Sequence, residues 1–150
     1  MADVLQLITP RTFTDWMYMA KTVFGEARGE NEETQRAVAW VIRNRVDDPK
    51  QRFGDSIPEV CTRPRQFSAW NPGDPNRERL LDPMGHVTEQ QAWYQCVQVA
   101  WGVLEAPPWA NPISGVYWYH DRSIAPPPWT RNLQEVPVPG VDRFRFYREA

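Results

Sequence analysis

The positions of the prolines constrain this chain more than any other feature of its sequence. Fifteen of the 150 residues are proline, about twice the ordinary share of roughly 5%. None of them falls between Pro10 and Pro49 or between Pro83 and Pro107. Because proline ends or kinks an α-helix, these two proline-free windows are where we expect the long helices. The remainder should hold turns, short helices and strands.

The first window begins with an amphipathic pattern. Apolar residues recur three or four positions apart between Phe13 and Ala27, which is the spacing of one face of a helix. Thr14 is a candidate N-cap, and Gly29 is a candidate residue just past the C-terminus. The pattern predicts a first helix over about residues 15–28.

Two further helices are expected. Asn31 is a candidate N-cap, and the apolar run at 37–42 predicts a second helix that lies in the middle of the fold. In the second window, Thr88 and Gln91 have the spacing of a capping box. An apolar stripe follows them, so a third helix is predicted over about residues 88–105.

The rest of the chain favours loops and a small sheet. Residues 49–86 are so rich in proline and turn formers that only short turns or one-turn helices are expected, and long loops of this kind tend to be functional. Aromatic-rich segments at 116–120 and 144–147 are strand candidates, separated by the three prolines at 126–128. We therefore expect an α+β fold, mainly helical with a small antiparallel sheet, as a single domain over 1–150.

Charge and hydropathy exclude several functional classes. The chain has 17 Lys and Arg against 19 Asp and Glu, whereas a protein that binds nucleic acid through counterion release is expected to be basic. It has no run of about 18 apolar residues, so no stable membrane insertion is expected. Residues 1–6 lack the basic start and apolar run of a secretory signal. We expect a soluble monomer with no nucleic-acid partner and no signal peptide.

The missing motifs leave carboxylate chemistry as the main possibility. The glycine-rich nucleotide motifs, GxSxG and HExxH do not occur, and His86 and His120 give no metal-ligand spacing. Neither a cofactor nor a metal is therefore expected. Glu26 lies at the flank of the apolar stripe of the first helix, where desolvation favours the neutral carboxyl group that a general acid requires. The alternative is that the Glu26 carboxylate is solvated or pairs with Arg28 or Arg36, which are nearby in sequence.

Several sequence blocks together resemble one enzyme family. They are FGEARGE at 24–30, AVAWVIRNRV at 37–46 and QFSAW at 66–70, followed more loosely by Tyr119-His120, Trp129 and residues 145–147. These blocks are similar to those of the cell-wall hydrolases of the spore cortex-lytic (SleB) type. The resemblance implies a lysozyme-like, lytic-transglycosylase-like body that cleaves peptidoglycan glycan strands between N-acetylmuramic acid and N-acetylglucosamine. It also implies that Glu26, the first glutamate of the EARGE block, is the catalytic acid.

The resemblance further implies a mechanism with a single carboxyl group. Glu26 would protonate the glycosidic oxygen and then act as the base on the sugar's own C6 hydroxyl, giving a 1,6-anhydromuramoyl end. A true hydrolase would use a second carboxylate, for which Asp74 and Asp121 are the candidates. The matching blocks also place these hydrogen-bonding residues near the substrate: Gln66, Ser68, Tyr117, Tyr119 and His120.

The chain departs from the family at one position. Family members often end in a Gly-x-His-x-Phe-Tyr pattern, and here Phe144 stands in the place of that histidine. Any role carried by the histidine is therefore missing. With no export signal expected, we predict that the protein is made in the bacterial cytoplasm and reaches the wall as a bacteriophage endolysin or virion component.

Two other functions remain possible from the sequence. A cysteine amidase or endopeptidase would use Cys61 or Cys96 together with His86 or His120. A non-catalytic wall-binding module would use an aromatic groove. Core positions are expected for Trp16, Trp40 and Trp93, whereas the tryptophans expected in loops or strands, and available to line a glycan groove, are Trp70, Trp109, Trp118 and Trp129.

Overall fold

The structure, a computed structural model, describes residues 10–150, with side chains from residue 12 onward. The segment 1–6, expected to carry no export signal, lies outside the described residues. The helices are α1 (Pro10–Ala27), α2 (Glu32–Val46), α3 (Ile57–Thr62), α4 (Pro75–Leu81) and α5 (Gln90–Glu105), and the strands are β1 (Val116–Asp121), β2 (Leu133–Val136) and β3 (Phe144–Glu149). Short 3₁₀ turns lie at Ser68–Trp70, Val87–Glu89, Pro108–Ala110 and Pro128–Asn132.

Helix α1 begins earlier than its sequence pattern predicts. It starts at Pro10, and Thr14 lies within it, so the prediction of Thr14 as the N-cap is wrong. Proline is tolerated in the first turn of a helix because the N–H that it lacks has no partner inside the helix there. Met19, Val23 and Phe24 on the inner face of α1 are fully buried.

Helix α2 is the central helix, as its apolar run predicts. The side chain of Asn31 accepts a hydrogen bond from the backbone N–H of Thr34 at 2.9 Å, which confirms the predicted N-cap. Val38 and Ile42 are fully buried. Helix α5 is confirmed too, but it begins at Gln90 after a 3₁₀ turn, and no side chain caps it, so the capping box expected at Thr88 is not formed.

The sheet has three antiparallel strands in the order β1-β3-β2. Strands β1 and β3 fall where the aromatic segments predict them, and Tyr119 of β1 pairs with Phe146 of β3. Strand β2 was not predicted, because its four residues, LQEV, carry only two apolar side chains at an edge position. The expected fold class, mainly helical with a small antiparallel sheet, is confirmed.

The proline-rich segment 49–86 is ordered around two short helices and one 3₁₀ turn. Each of its helices has a side-chain N-cap and a proline in its first turn: Ser56 caps α3 and Asp74 caps α4. Both helices pack against α1. Within residues 10–150, no helix is both long enough and apolar enough to cross a membrane.

Candidate active site

Glu26 lies where two adjoining cavities meet. The first, of about 350 Å³, is formed by α1, α2, the segment 66–76, β1 and β3. The second, of about 280 Å³, is formed by residues 25–30 with Asn76 and Arg143, and it shares Gly25, Glu26, Asn76 and Arg143 with the first. Because the two cavities share these residues, we treat them as one groove, with Glu26 in the wall that the two cavities have in common.

A close contact between α1 and the proline-rich segment sets the position of Glu26. A Cβ atom on Gly25 would lie 2.7 Å from the Cβ of Ala69 and 2.9 Å from the Cδ2 of Leu80. Only glycine allows this approach, since real Cβ atoms do not come within 3.0 Å of such neighbours. The contact brings the 3₁₀ turn at Ser68–Trp70 against α1, and there the backbone N–H of Ala69 hydrogen-bonds the Glu26 carboxyl group.

The surroundings of Glu26 favour its protonated form. Burial raises the pKa of the Glu26 carboxyl group, and nearby Asp74 raises it further. The Tyr119 hydroxyl donates a 2.8 Å hydrogen bond to Oε1, and this bond, the Ala69 N–H and the charge of Arg45 oppose that rise in the pKa. The net direction is upward, so the surroundings favour the proton-carrying form of the carboxyl group that a general acid needs.

Tyr119 is itself held rigidly. Its ring lies 4.8 Å from the ring of Phe144, 5.6 Å from that of Phe146 and 6.5 Å from that of Phe67. Burial raises the pKa of its hydroxyl well above the usual range, and the Glu26 charge acts in the same direction. Phe144 therefore packs against the residue that holds Glu26.

The predicted site residues are brought together with one exception. Gln66, Ser68, Tyr119 and His120 line the same cavity as Glu26. Tyr117 does not. It stacks on Phe53 at 5.5 Å between ring centroids and lines cavities beyond the cleft.

The position of Tyr117 follows from the geometry of β1. Two residues along a strand are separated by about 7 Å, and the β1–β3 pairing is irregular between Val116 and Trp118. Tyr117 therefore shares a strand with Tyr119 but meets Phe53 and Arg52 rather than the groove. The structure therefore does not bring Tyr117 into the groove beside Glu26.

The His120 ring joins the sheet strands at the edge of the groove. His120 is buried, and its Nε2 and Nδ1 atoms each lie 2.8 Å from a partner, the Tyr147 hydroxyl and the Asp121 carbonyl oxygen. The ring stacks on Tyr147 and meets Trp129 edge-on. Both ring nitrogens are thus engaged within the protein.

The two candidate second carboxylates both have structural partners. Asp121 accepts hydrogen bonds from the Ser123 N–H at 2.8 Å and from Arg143 Nε at 2.6 Å. These bonds, that from the Ser123 N–H foremost, lower the pKa of Asp121, and so it stays ionised. Asp74 accepts from the Asn76 N–H at 2.8 Å as the N-cap of α4.

The cysteines are placed unfavourably for nucleophilic catalysis. Cys61 and Cys96 are both free and fully buried. Burial raises the pKa of each thiol to about 12, so the reactive thiolate is scarce near neutral pH. Neither cysteine lines the groove beside Glu26.

Most of the tryptophans contribute to packing rather than to the groove walls, whereas Trp109 is exposed. Trp40 and Trp93 are buried, as expected. Trp70 stacks on Tyr18 and donates a 2.8 Å hydrogen bond from its indole N–H to Thr22 Oγ1. No tryptophan of the described residues lines either cavity beside Glu26, so the tryptophans that were available to line a glycan groove do not do so there.

Arg45 is a cleft residue to which the sequence analysis gave no role. It lies in the last turn of α2, where a basic residue is normally solvated near the helix C-terminus, yet it is only 6% exposed. Burial lowers the pKa of its guanidinium group to about 10, while the charges of Tyr119 and Glu26 act in the opposite direction. The one available signal was its place in the NRV block.

Comparisons with known proteins identify the family of this chain. The sequence model of a family described as cell wall hydrolase matches residues 29–147. Two spore cortex-lytic enzymes are similar to this chain. The enzyme of Oceanobacillus iheyensis is 44% identical over 75 residues, which cover 45% of this chain and 26% of the relative. The enzyme of Bacillus subtilis is 36% identical over 88 residues, which cover 53% of this chain and 28% of the relative. The chain thus matches only about a quarter of the length of these relatives.

A solved structure shares the fold. The catalytic domain of the Bacillus cereus SleB protein superimposes with a TM-score of 0.60 over 94% of both chains, at 23% sequence identity. At that identity the likeness concerns the fold alone. Glu26 lies three positions before the first residue matched by the family model, so its role has to be argued from the geometry of the groove.

Proposed function

Because this chain belongs to the cell wall hydrolase family, we propose that it degrades peptidoglycan by cutting the glycan strand, with Glu26 as the catalytic acid. One observation carries the proposal. The Glu26 carboxyl group, its pKa raised by burial, is fixed by Tyr119 at the wall of a groove formed by two adjoining cavities. An extended polymer needs such a groove, and acid catalysis needs such a carboxyl group.

We propose the lytic transglycosylase reaction in particular. Glu26 gives its proton to the oxygen that links N-acetylmuramic acid to N-acetylglucosamine, and the bond from the muramic C1 to that oxygen breaks. The Glu26 carboxylate then takes the proton of the muramic C6 hydroxyl, whose oxygen forms the new bond to C1. Glu26 ends protonated, the product carries a 1,6-anhydro ring, and no water is consumed.

The arrangement of the other carboxylates supports this choice over hydrolysis. A hydrolase needs a second carboxylate to activate water or to bond to C1. Asp121 and Glu30 line the groove, and both pair with Arg143, at 2.6 Å and 3.3 Å. Asp121 and the nearby Asp74 are also engaged by backbone N–H groups. An attack by the substrate's own hydroxyl needs only Glu26, because the nucleophile is already held in place.

Further roles complete the proposal. Gln66 and Ser68 supply hydrogen bonds to the sugar, Tyr119 orients Glu26, and His120 fixes the groove edge. The described residues constitute the catalytic domain. The route to the wall, by a phage lysis system or in a virion, stays a prediction from the sequence.

The assignment of Glu26 is tested by lysis of purified sacculi. Glu26→Gln should lower the rate by at least about 100-fold, the range that a general acid contributes. Glu105→Gln is the matched control, since Glu105 also lies at the C-terminal end of a helix but is exposed and far in sequence from the groove residues. Lysis by the Glu26→Gln variant within a fewfold of wild type would overturn the assignment.

The reaction type is tested by mass spectrometry of the released fragments. Transglycosylation predicts anhydromuramoyl ends, whereas hydrolysis predicts reducing ends that contain one more water. Release of peptides from intact glycan would favour the cysteine amidase or endopeptidase instead, and iodoacetamide should then abolish activity. Binding to sacculi with no soluble product would mean a wall-binding module.

A further inference from the structure

We propose that Arg45 is a positioning residue with two tasks: it turns the amide N–H groups of Gln66 toward the substrate, and it supplies the positive charge that stabilises the Glu26 carboxylate after proton transfer. The inference rests on the proposed function, because it concerns the groups that surround its acid. Nothing in the family comparison assigns Arg45 a role.

Arg45 is a buried cation with no carboxylate against it. Among residues 10–150, no carboxylate oxygen lies within 4.0 Å of its guanidinium group, although eleven other such ion pairs are present. The guanidinium carbon lies instead 4.9 Å from the ring centroids of both Phe53 and Phe67. Burying a charge without a counter-ion is costly. A cation that is kept there, and that lines the groove, indicates a use for its charge.

The contacts of Arg45 fix the orientation of Gln66. Arg45 donates from Nε to the Tyr117 carbonyl oxygen at 2.7 Å and from Nη1 to Gln66 Oε1 at 2.6 Å. A guanidinium group has donors only, so the oxygen of the Gln66 amide must face it. The Gln66 Nε2 atom then points away with two N–H donors, and no partner for them occurs in the described part of the chain. They suit a carbonyl acceptor such as the acetamido oxygen of an amino sugar.

The charges around Glu26 leave Arg45 as the unpaired cation. The Tyr119 hydroxyl donates to Glu26, and the charge of Asp74 acts on Glu26 from nearby. Of the other groove cations, Arg143 pairs with Glu30 and Asp121, at 3.3 Å and 2.6 Å. The remaining one, Arg28, pairs with Glu89 at 3.3 Å.

The proton transfer gives this unpaired charge its second task. When Glu26 gives up its proton, a new negative charge forms in a partly buried site already facing Asp74. Because the other groove cations have carboxylate partners, Arg45 supplies the compensating positive charge. In a site of low dielectric such a charge acts more strongly than in water.

Three variants separate the two tasks. Arg45→Lys keeps the charge but loses the planar guanidinium group that donates to Gln66 and Tyr117 at the same time. Arg45→Met removes the charge and the fork but keeps much of the side-chain volume. Gln66→Ala removes the amide and leaves the charge. Each is compared with wild type for kcat, KM and the pH dependence of kcat on soluble glycan strands.

The expected pattern differs for each variant. Gln66→Ala and Arg45→Lys should both raise KM about tenfold, the equivalent of one lost hydrogen bond, and Arg45→Lys should add nothing in the Gln66→Ala background. In both variants, the decline of kcat at alkaline pH should occur at the same pH as in wild type. Arg45→Met should raise KM and also move that fall to higher pH, because a cation favours the carboxylate form of Glu26.

Several results would overturn the inference. An Arg45→Lys variant with wild-type KM would exclude the first task. An unshifted alkaline fall of kcat in Arg45→Met would exclude the second, and additive KM effects of Arg45→Lys and Gln66→Ala would show that the two residues act separately. If Arg45→Met does not fold, Arg45→Lys and Gln66→Ala still decide the first task, and Arg45→Gln takes its place for the second.

A failure of the proposed function is distinguishable from a failure of this inference. If wild type releases nothing from sacculi, the proposed function fails. Binding of tetra-N-acetylchitotetraose, followed by tryptophan fluorescence or calorimetry, then tests Arg45 alone. An equal rise in Kd for Arg45→Lys and Gln66→Ala would support the positioning role, and an unchanged Kd in Arg45→Lys would refute it.

Discussion

Replacement of Gly25 by alanine tests whether a close contact sets the position of Glu26. Gly25 is two residues before the end of α1, and an added Cβ would lie 2.7 Å from the Ala69 Cβ. The turn at Ser68–Trp70 would have to move by 0.3 Å to reach the 3.0 Å limit of real Cβ contacts, and by 0.7 Å to reach ordinary contact at 3.4 Å. Ala69 cannot rotate away, because its methyl group is attached directly to the backbone.

Two opposing effects determine the stability of Gly25→Ala. Alanine stabilises a helix interior by about 1 kcal/mol relative to glycine. Overpacking a well-packed core costs about 1–3 kcal/mol. The substitution should therefore lower the free energy of unfolding by about 0–2 kcal/mol, with a fall in Tm of roughly 2–4 °C for each kcal/mol in a chain of this size.

Gly102→Ala is a matched control that isolates the contact. Gly102 lies three residues before the end of α5, and a Cβ added there would meet nothing within 4 Å. It should gain up to about 1 kcal/mol of stability. Urea and thermal unfolding of the two variants should differ by about 1–3 kcal/mol, which is the overpacking energy alone.

The same shift should impair catalysis in Gly25→Ala only. Ala69 carries the N–H that bonds the Glu26 carboxyl group, and the neighbouring Ser68 and Gln66 line the groove. Gly25→Ala should therefore lower kcat at temperatures where it is fully folded, whereas Gly102→Ala should not. A Gly25→Ala variant as stable and active as Gly102→Ala would refute the claim that this contact sets the site.

Three further predictions concern Glu26 and the cap of α2. Tyr119→Phe keeps the packed ring but loses the 2.8 Å hydrogen bond to Glu26 Oε1, so kcat should fall about tenfold. Because that bond lowers the pKa of Glu26, the decline of kcat at alkaline pH should move to higher pH in the variant. Folding raises the pKa of Glu26 above its ordinary 4.5, so the protonated carboxyl group contributes fully to stability below about pH 4.5, and this contribution is lost as the pH rises through the folded-state pKa. Glu26→Gln should therefore become more stable relative to wild type between pH 4 and neutral pH in urea titrations. A difference in unfolding free energy that stays constant over this pH range would contradict the prediction. Asn31→Ala should lose about 1 kcal/mol, because Asn31 Oδ1 caps the Thr34 N–H; Asn31→Asp, which keeps the cap but cannot donate to the Gly140 carbonyl oxygen, should lose less.

The long helices could be predicted from the sequence because their signals are local. Proline-free windows, apolar spacing and the Asn31 cap act within a few residues of one another, and they located α2 and α5 to within a few positions. The start of α1 was missed because Pro10 marks a helix beginning as readily as a helix end. The short edge strand β2 carries too little pattern to be distinguished from a loop.

The site could be predicted only in part, because the contacts that build it join distant parts of the chain. Arg43, Asn44 and Arg45 lie in the last turn of α2, and such a polar run is typical of a solvated last turn. In the structure Asn44 is buried and donates to the carbonyl oxygens of Ile113 and Val116, each at 3.0 Å, while Arg45 donates to that of Tyr117.

These bonds attach the beginning of β1 to the end of α2, across about 70 residues of sequence. Once β1 is fixed there, Tyr119 lies two residues farther along the strand and reaches Glu26 from α1. The same two polar residues of α2 therefore dock the sheet on the helices and, through Arg45, complete the groove. No local pattern at 44–45 or at 116–119 carries that information, because each segment acquires its role only when it meets the other.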